Sequence, residues 1–148
     1  MKPWSLQLEL KAWVVRGAAP PPPAVPEVLA AHWTEPSTKT NIGTAFVDIY
    51  TTAGSDGLSV RVDFTGKTQA AARILWNKIG TGTQNLRCVD RDNVANVLFD
   101  VVVVDGGQDV APAALPAWAT GVKKLKLQAK STVAGDDPIF RGCNINLI

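Results

Sequence analysis

The stretch Asp63-Phe64-Thr65-Gly66-Lys67-Thr68 ends in Gly-Lys-Thr, the tail of a phosphate-binding loop. Such a loop cradles phosphates with backbone N–H groups and needs Gly-x-x-x-x-Gly-Lys-[Ser/Thr] running into a helix N-terminus. The first glycine would stand at position 61, which is Arg61, inside an alternating strand pattern. The next segment, 69–76, could begin helically but runs into Ile74-Leu75-Trp76, which favours a strand. Gly66-Lys67 is therefore expected to be an exposed turn between strands, not a nucleotide site. Gly80-Thr81-Gly82-Thr83-Gln84 lacks the third glycine of a dinucleotide fingerprint and is read as a hairpin turn.

Groups for acid–base or metal chemistry are scarce. His32 is the only histidine, so an ordinary zinc site cannot be assembled from this chain alone, and no Gly-x-Ser-x-Gly surrounds any serine. Beside Trp33 and Pro36, His32 is expected to be partly buried. Glu9, Glu27 and Glu35 are the only glutamates and form no glycosidase-like pair. Asp136-Asp137 before Pro138 suit a capped turn better than a calcium loop, since the Asp-x-[Asp/Asn]-x-[Asp/Asn]-Gly pattern is missing. Cys88 and Cys143 sit in strand-like runs without a CxxC partner, as buried free thiols do. These observations predict a protein that is not an enzyme, with no catalytic residue, metal ligand or cofactor.

Two surface features point to binding instead. Trp118, in Leu115-Pro116-Ala117-Trp118-Ala119-Thr120, is a loop aromatic that could stack on a sugar ring or plug the end of its own domain. Lys124, Lys126, Gln128 and Lys130 share one face of a strand-like run, where they would give solubility and guard an edge, or meet an acidic neighbour or phosphate.

The elements that must position these groups are strands. Leu58, Val60, Val62 and Phe64 alternate with Ser59, Arg61 and Asp63, the pattern of a half-buried strand. Similar runs cover 44–52, 71–79, 84–90, 97–105, 122–131 and 139–148. Val101-Val102-Val103-Val104 is apolar on both faces, as expected of a strand in the middle of a sandwich. Glycine- and aspartate-rich clusters separate the runs, and a short helix fits only around 26–31. Such spacing predicts an all-β fold: an antiparallel β-sandwich of roughly eight or nine strands, jelly-roll-like. At 148 residues, 46% hydrophobic and 19% charged, the chain suits one domain that folds without staples. A net charge of +2 gives no general attraction to nucleic acid or an anionic membrane. No signal-peptide core or membrane-spanning run is seen, so synthesis in the cytoplasm is expected.

The N-terminus is distinctive. Trp4, Leu6, Leu8, Leu10, Ala12 and Val14 fall on one face of an extended segment, and Trp13 lies on the other beside Val15. Next come Gly17-Ala18-Ala19 and a spacer from Pro20 to Pro26 that opens with four prolines. As polyproline II at roughly 3.1 Å per residue, this spacer is a stiff rod of about 20 Å. Burying the arm's large apolar groups is worth on the order of 10 kcal/mol at about 1.5–3 kcal/mol each, so the arm is expected to pair with a sheet. The chain divides into an extended arm at 1–19, a Pro-rich spacer at 20–28 and a sandwich at 29–148. The arm would either wrap its own domain or add to a neighbour's sheet, with Trp4, Leu6, Leu8, Leu10, Trp13 and Val14 as contact residues.

Three segments carry a family likeness: Trp33-Thr34-Glu35-Pro36-Ser37, Trp76-Asn77-Lys78-Ile79-Gly80-Thr81-Gly82-Thr83, and residues 128–140 from Gln128 to Phe140. In texture, residues 33–148 resemble the small β-sandwich domains of tailed-bacteriophage virions, found in capsid decoration proteins and in tail or fibre modules. The resemblance implies a non-enzymatic structural protein in the virion. Its partners would be copies of itself, in trimers or another oligomer, and other virion proteins. Some fibre modules bind host glycans, so the alternative is a carbohydrate-binding module for cell-surface attachment.

Overall fold

The computed structural model describes residues 27–34, 42–50 and 58–148. Trp4, Leu6, Leu8, Leu10, Trp13 and Val14, together with the proline spacer, lie outside the described residues. The described chain is all β: β1 (Val28–Thr34), β2 (Val47–Asp48), β3 (Val60–Asp63), β4 (Gln69–Asn77), β5 (Gln84–Asp90), β6 (Val97–Val102), β7 (Gly106–Ala114), β8 (Val122–Ser131) and β9 (Ile139–Leu147).

The strands form two antiparallel sheets. One runs β1-β9-β4-β7; in the other the order is β2-β8-β5-β6, with β3 also pairing β8. The pairings nest: β1 with β9, β2 and β3 with β8, β4 with β7, and β5 with β6. A ribbon folded back on itself at the β5–β6 hairpin and then rolled gives this nesting, which is jelly-roll connectivity. The expected sandwich is therefore the observed fold.

Alternation in sequence becomes the core directly. Ala72, Ile74 and Trp76 of β4 meet Leu86 and Cys88 of β5, Leu125, Leu127 and Ala129 of β8, and Cys143, Ile145 and Leu147 of β9. Both cysteines are free and buried, as expected. Tyr50 and Trp76 each stand edge-on to Phe140, at 6.1 and 6.3 Å between ring centres.

Four expectations need correction. Residues 28–31 belong to strand β1 and not to a helix, because pairing with β9 satisfies their backbone. The Gly80–Thr83 loop is no hairpin, since it carries the chain from β4 in one sheet to β5 in the other. The valine run is not central: among the described strands β6 stands at the edge of its sheet, and Val102 and Val104 are 53% and 52% exposed. Finally, β7 has no counterpart among the expected strands. Its sequence GGQDVAPAA has Val110 as its one strong β-former, yet it pairs with β4 along its length.

Candidate functional site

The Gly-Lys-Thr segment is a turn. Asp63 Oδ1 accepts the Thr65 N–H at 2.9 Å, and Gly66 takes the left-handed conformation, φ 71°, that the turn requires. The chain then enters strand β4, so no helix N-terminus is there to face a phosphate.

Asp136 is buried and caps the glycine loop across the sandwich. Its Oδ2 accepts from Ser131 Oγ at 2.6 Å and from the Gly82 N–H at 2.9 Å. Hydrogen bonding, chiefly from Ser131, holds its carboxyl below the ordinary value. This is the capped turn read from the sequence. Beside it, Trp76 Nε1 donates to Gln84 Oε1 at 2.9 Å, and Gln84 Nε2 donates to the Ile79 carbonyl at 2.6 Å.

Trp118 is half-buried. It packs against the core and stands edge-on to Phe64, with ring centres 6.1 Å apart, in a turn closed by the Ala119 N–H on the Pro116 carbonyl at 2.9 Å. His32, expected to be partly buried, is exposed on β1, where Nδ1 meets Asn144 Oδ1 of β9. The lysine row does not guard an edge, because β8 is an interior strand flanked by β2, β3 and β5. Lys126 instead pairs with Asp48 at 3.1 Å, Gln128 accepts two bonds from Arg87 at 2.9 and 2.7 Å, and Lys130 and Arg87 both lie over the Phe46 ring.

Two hollows on the surface of the described residues carry charged side chains. One, of about 390 Å³, is lined by Arg61, Asp90, Asp92 and Lys123–Lys124 at the end of the β3–β8–β5 sheet. The other, of about 170 Å³, lies over Gly142 on the outer face of the β1-β9-β4-β7 sheet, between His32, Arg73, Leu75, Arg141 and Asn144. Its Arg73 pairs with Asp109 at 2.8 Å, both ends exposed.

The third feature is the gap between β6 and β7. At the opposite flank the edges β1 and β3 approach within 8 Å between Cα atoms. Gln108 bridges one end of this gap, donating to the Val102 carbonyl and accepting the Val104 N–H, both at 3.1 Å. Beyond the bridge the groove is apolar, lined by Leu98 and Phe99 of β6, Val110, Ala113 and Ala114 of β7, and Ala70. It holds about 30 Å³, room for little more than a water molecule and too little for a small-molecule ligand. Sequence reasoning missed this site because it missed β7 and placed β6 in the middle of its sheet. The valine run, apolar on both faces, gave no signal that it would end its sheet.

No family model and no curated protein matches the chain. Among solved structures, it is similar to dimeric latent PorU from Porphyromonas gingivalis, at 12% identity and a TM-score of 0.38. The alignment covers 88% of this chain and 14% of that one, so the chain spans a small part of the protein it matches.

Proposed function

We propose that this protein is a non-enzymatic structural component that assembles through residues 3–16. The observation that carries this reading is the apolar alternation of the arm, Trp4, Leu6, Leu8, Leu10 and Val14, in a chain whose sandwich also carries a small apolar groove between β6 and β7. Both have apolar surface that burial would stabilise. The setting suggested by the sequence resemblance is a tailed-phage virion, as a capsid decoration or tail component. The test is the solution mass of the intact protein against a form lacking residues 1–19. Assembly lost on deletion, with the melting transition retained, supports the reading; an intact protein that stays monomeric at every concentration overturns it.

A second reading, glycan binding, has one observation in its favour: the hollow over Gly142 offers His32, Asn144 and two arginines for sugar hydroxyl or carboxylate groups. Slowed migration through a polysaccharide gel, lost on Arg73→Ala, would support it. Loss on Trp118→Ala would place the sugar at the loop aromatic, and unretarded migration would remove the reading.

A further inference from the structure

We infer that the hollow between β3, β8 and the turn after β5 is a binding site for an oxyanion, a phosphate or sulfate group taken from solution. The site depends on neither reading above.

The period-two row on β8, Lys124, Lys126, Gln128 and Lys130, has the composition to meet phosphate, and the fold accounts for every member but one. Lys126 pairs with Asp48 at 3.1 Å, Gln128 donates to Asp48 at 2.7 Å and accepts from Arg87, and Lys130 lies over the Phe46 ring. Lys124 is left. It is exposed, and it lines the hollow of about 390 Å³. Directly opposite it in the β3–β8 register stands Arg61, also exposed, and Lys123 completes the cationic lining. Among the described residues, none of these three cations is held in an ion pair.

Like charges directly opposite one another on a strand pair repel, because their Cβ atoms are only about 4.5–5.5 Å apart. An oxyanion seated between Arg61 and Lys124 turns that repulsion into attraction. The guanidinium offers a fork of donors to two oxygens, and an ammonium serves a third. The carboxylates of the lining do not neutralise the pair. Asp90 is 5% exposed and committed to its own turn, with Oδ1 accepting the Asp92 N–H at 3.0 Å and Oδ2 accepting from Asn96 Nδ2 at 3.4 Å. Asp92 is exposed and makes no ion pair with the three cations. Asp63, two residues beyond Arg61, accepts the Thr65 N–H.

The walls are held by backbone bonds. The Arg91 N–H donates to the Lys124 carbonyl at 2.7 Å, and the Phe64 N–H donates to the Gly121 carbonyl at 2.8 Å. The turn after β5 and the end of β3 are thereby both tied to β8, so binding requires little reordering of the chain. At about 390 Å³ the hollow is in the size range of small-ligand sites, which the groove beside β6 is not. Val122 adds an apolar patch to the lining, against which the carbon skeleton of an ester would rest.

The test uses the full chain in a low-salt buffer free of phosphate and sulfate, titrated with inorganic phosphate and, in parallel, with sodium chloride at matched ionic strength. Phosphate alone should give saturating shifts of the Arg61, Asp92 and Lys124 amide resonances. It should also raise the melting temperature by about 2–4 °C at about five times its dissociation constant. The double variant Arg61→Gln, Lys124→Gln should bind phosphate about tenfold or more weakly and, with the repulsion removed, melt no lower than the parent before phosphate is added. A variant that melts lower in that buffer shows that the cations are already paired within the chain, and the site is overturned. Shifts that never saturate, or that sodium chloride reproduces, are screening alone and overturn it as well. Phenyl phosphate separates the sources. Binding about tenfold or more tighter than inorganic phosphate assigns the site to an ester lying on Val122, and a smaller gain assigns it to the free ion.

Discussion

Trp76 and Gln84 show how one buried polar contact joins the two sheets. The indole of β4 reaches across the sandwich to a glutamine of β5 that is fully buried and has already committed its amide to Ile79. Trp76→Phe keeps most of the apolar volume but leaves Gln84 Oε1 without its donor. The expected cost is about 1–3 kcal/mol, read from chemical denaturation with an unchanged slope. The thiols act at the same scale. Burial pushes Cys143 up to about 12 from an ordinary 9.0, and desolvation drives Cys88 upward too, with the nearby Cys143 adding to the shift. A group whose folded value is raised stabilises fully below its unfolded value and loses that contribution as pH climbs. The melting temperature should therefore hold up to about pH 9 and fall between about 9 and 12 on this account. In the native state both thiols should resist alkylation at pH 8 and react once unfolded.

At the scale of elements, the Gly80–Thr83 connection is held by its contact with Asp136 rather than by local turn chemistry. A Cβ at Gly82 would meet the Val133 backbone nitrogen at 2.9 Å and press on Ser131 Oγ and Asp136 as well. Gly82→Ala should cost about 1–3 kcal/mol in thermal or chemical denaturation, more than its propensity alone would suggest. A connection this constrained explains why a glycine-rich loop that reads as a hairpin turn fixes the step between sheets. The lysines of β8 were legible as one face, but not as the lid of a network. Asp48, Arg87 and Phe46 come from distant parts of the sequence, and only the roll places them against Lys126, Gln128 and Lys130.

For the whole molecule, the apolar alternation of residues 4–14 gives the functional prediction its content. Removing residues 1–19 is expected to leave the β-sheet circular dichroism signal unchanged, because the described core draws on residues from Ala31 onward. The same deletion should abolish oligomers detected by light scattering. An arm-free form that retains the intact protein's mass would show that assembly uses another surface.

Sequence by itself determined the all-β class, the limits of β5 and β8, the buried free thiols, the turn at Gly66 and the cap at Asp136. Each arises from period-two alternation or from local hydrogen bonding, which the chain specifies within a few residues. Tertiary structure alone decided which strands are edges. Val101–Val104 has the composition of a central strand and β7 that of a loop, yet each lies at the end of its sheet among the described strands, because pairing partners are chosen by the roll of the ribbon and not by propensity. The apolar groove beside β6 comes from that choice too, lined by residues of β4, β6 and β7 that only the roll brings together.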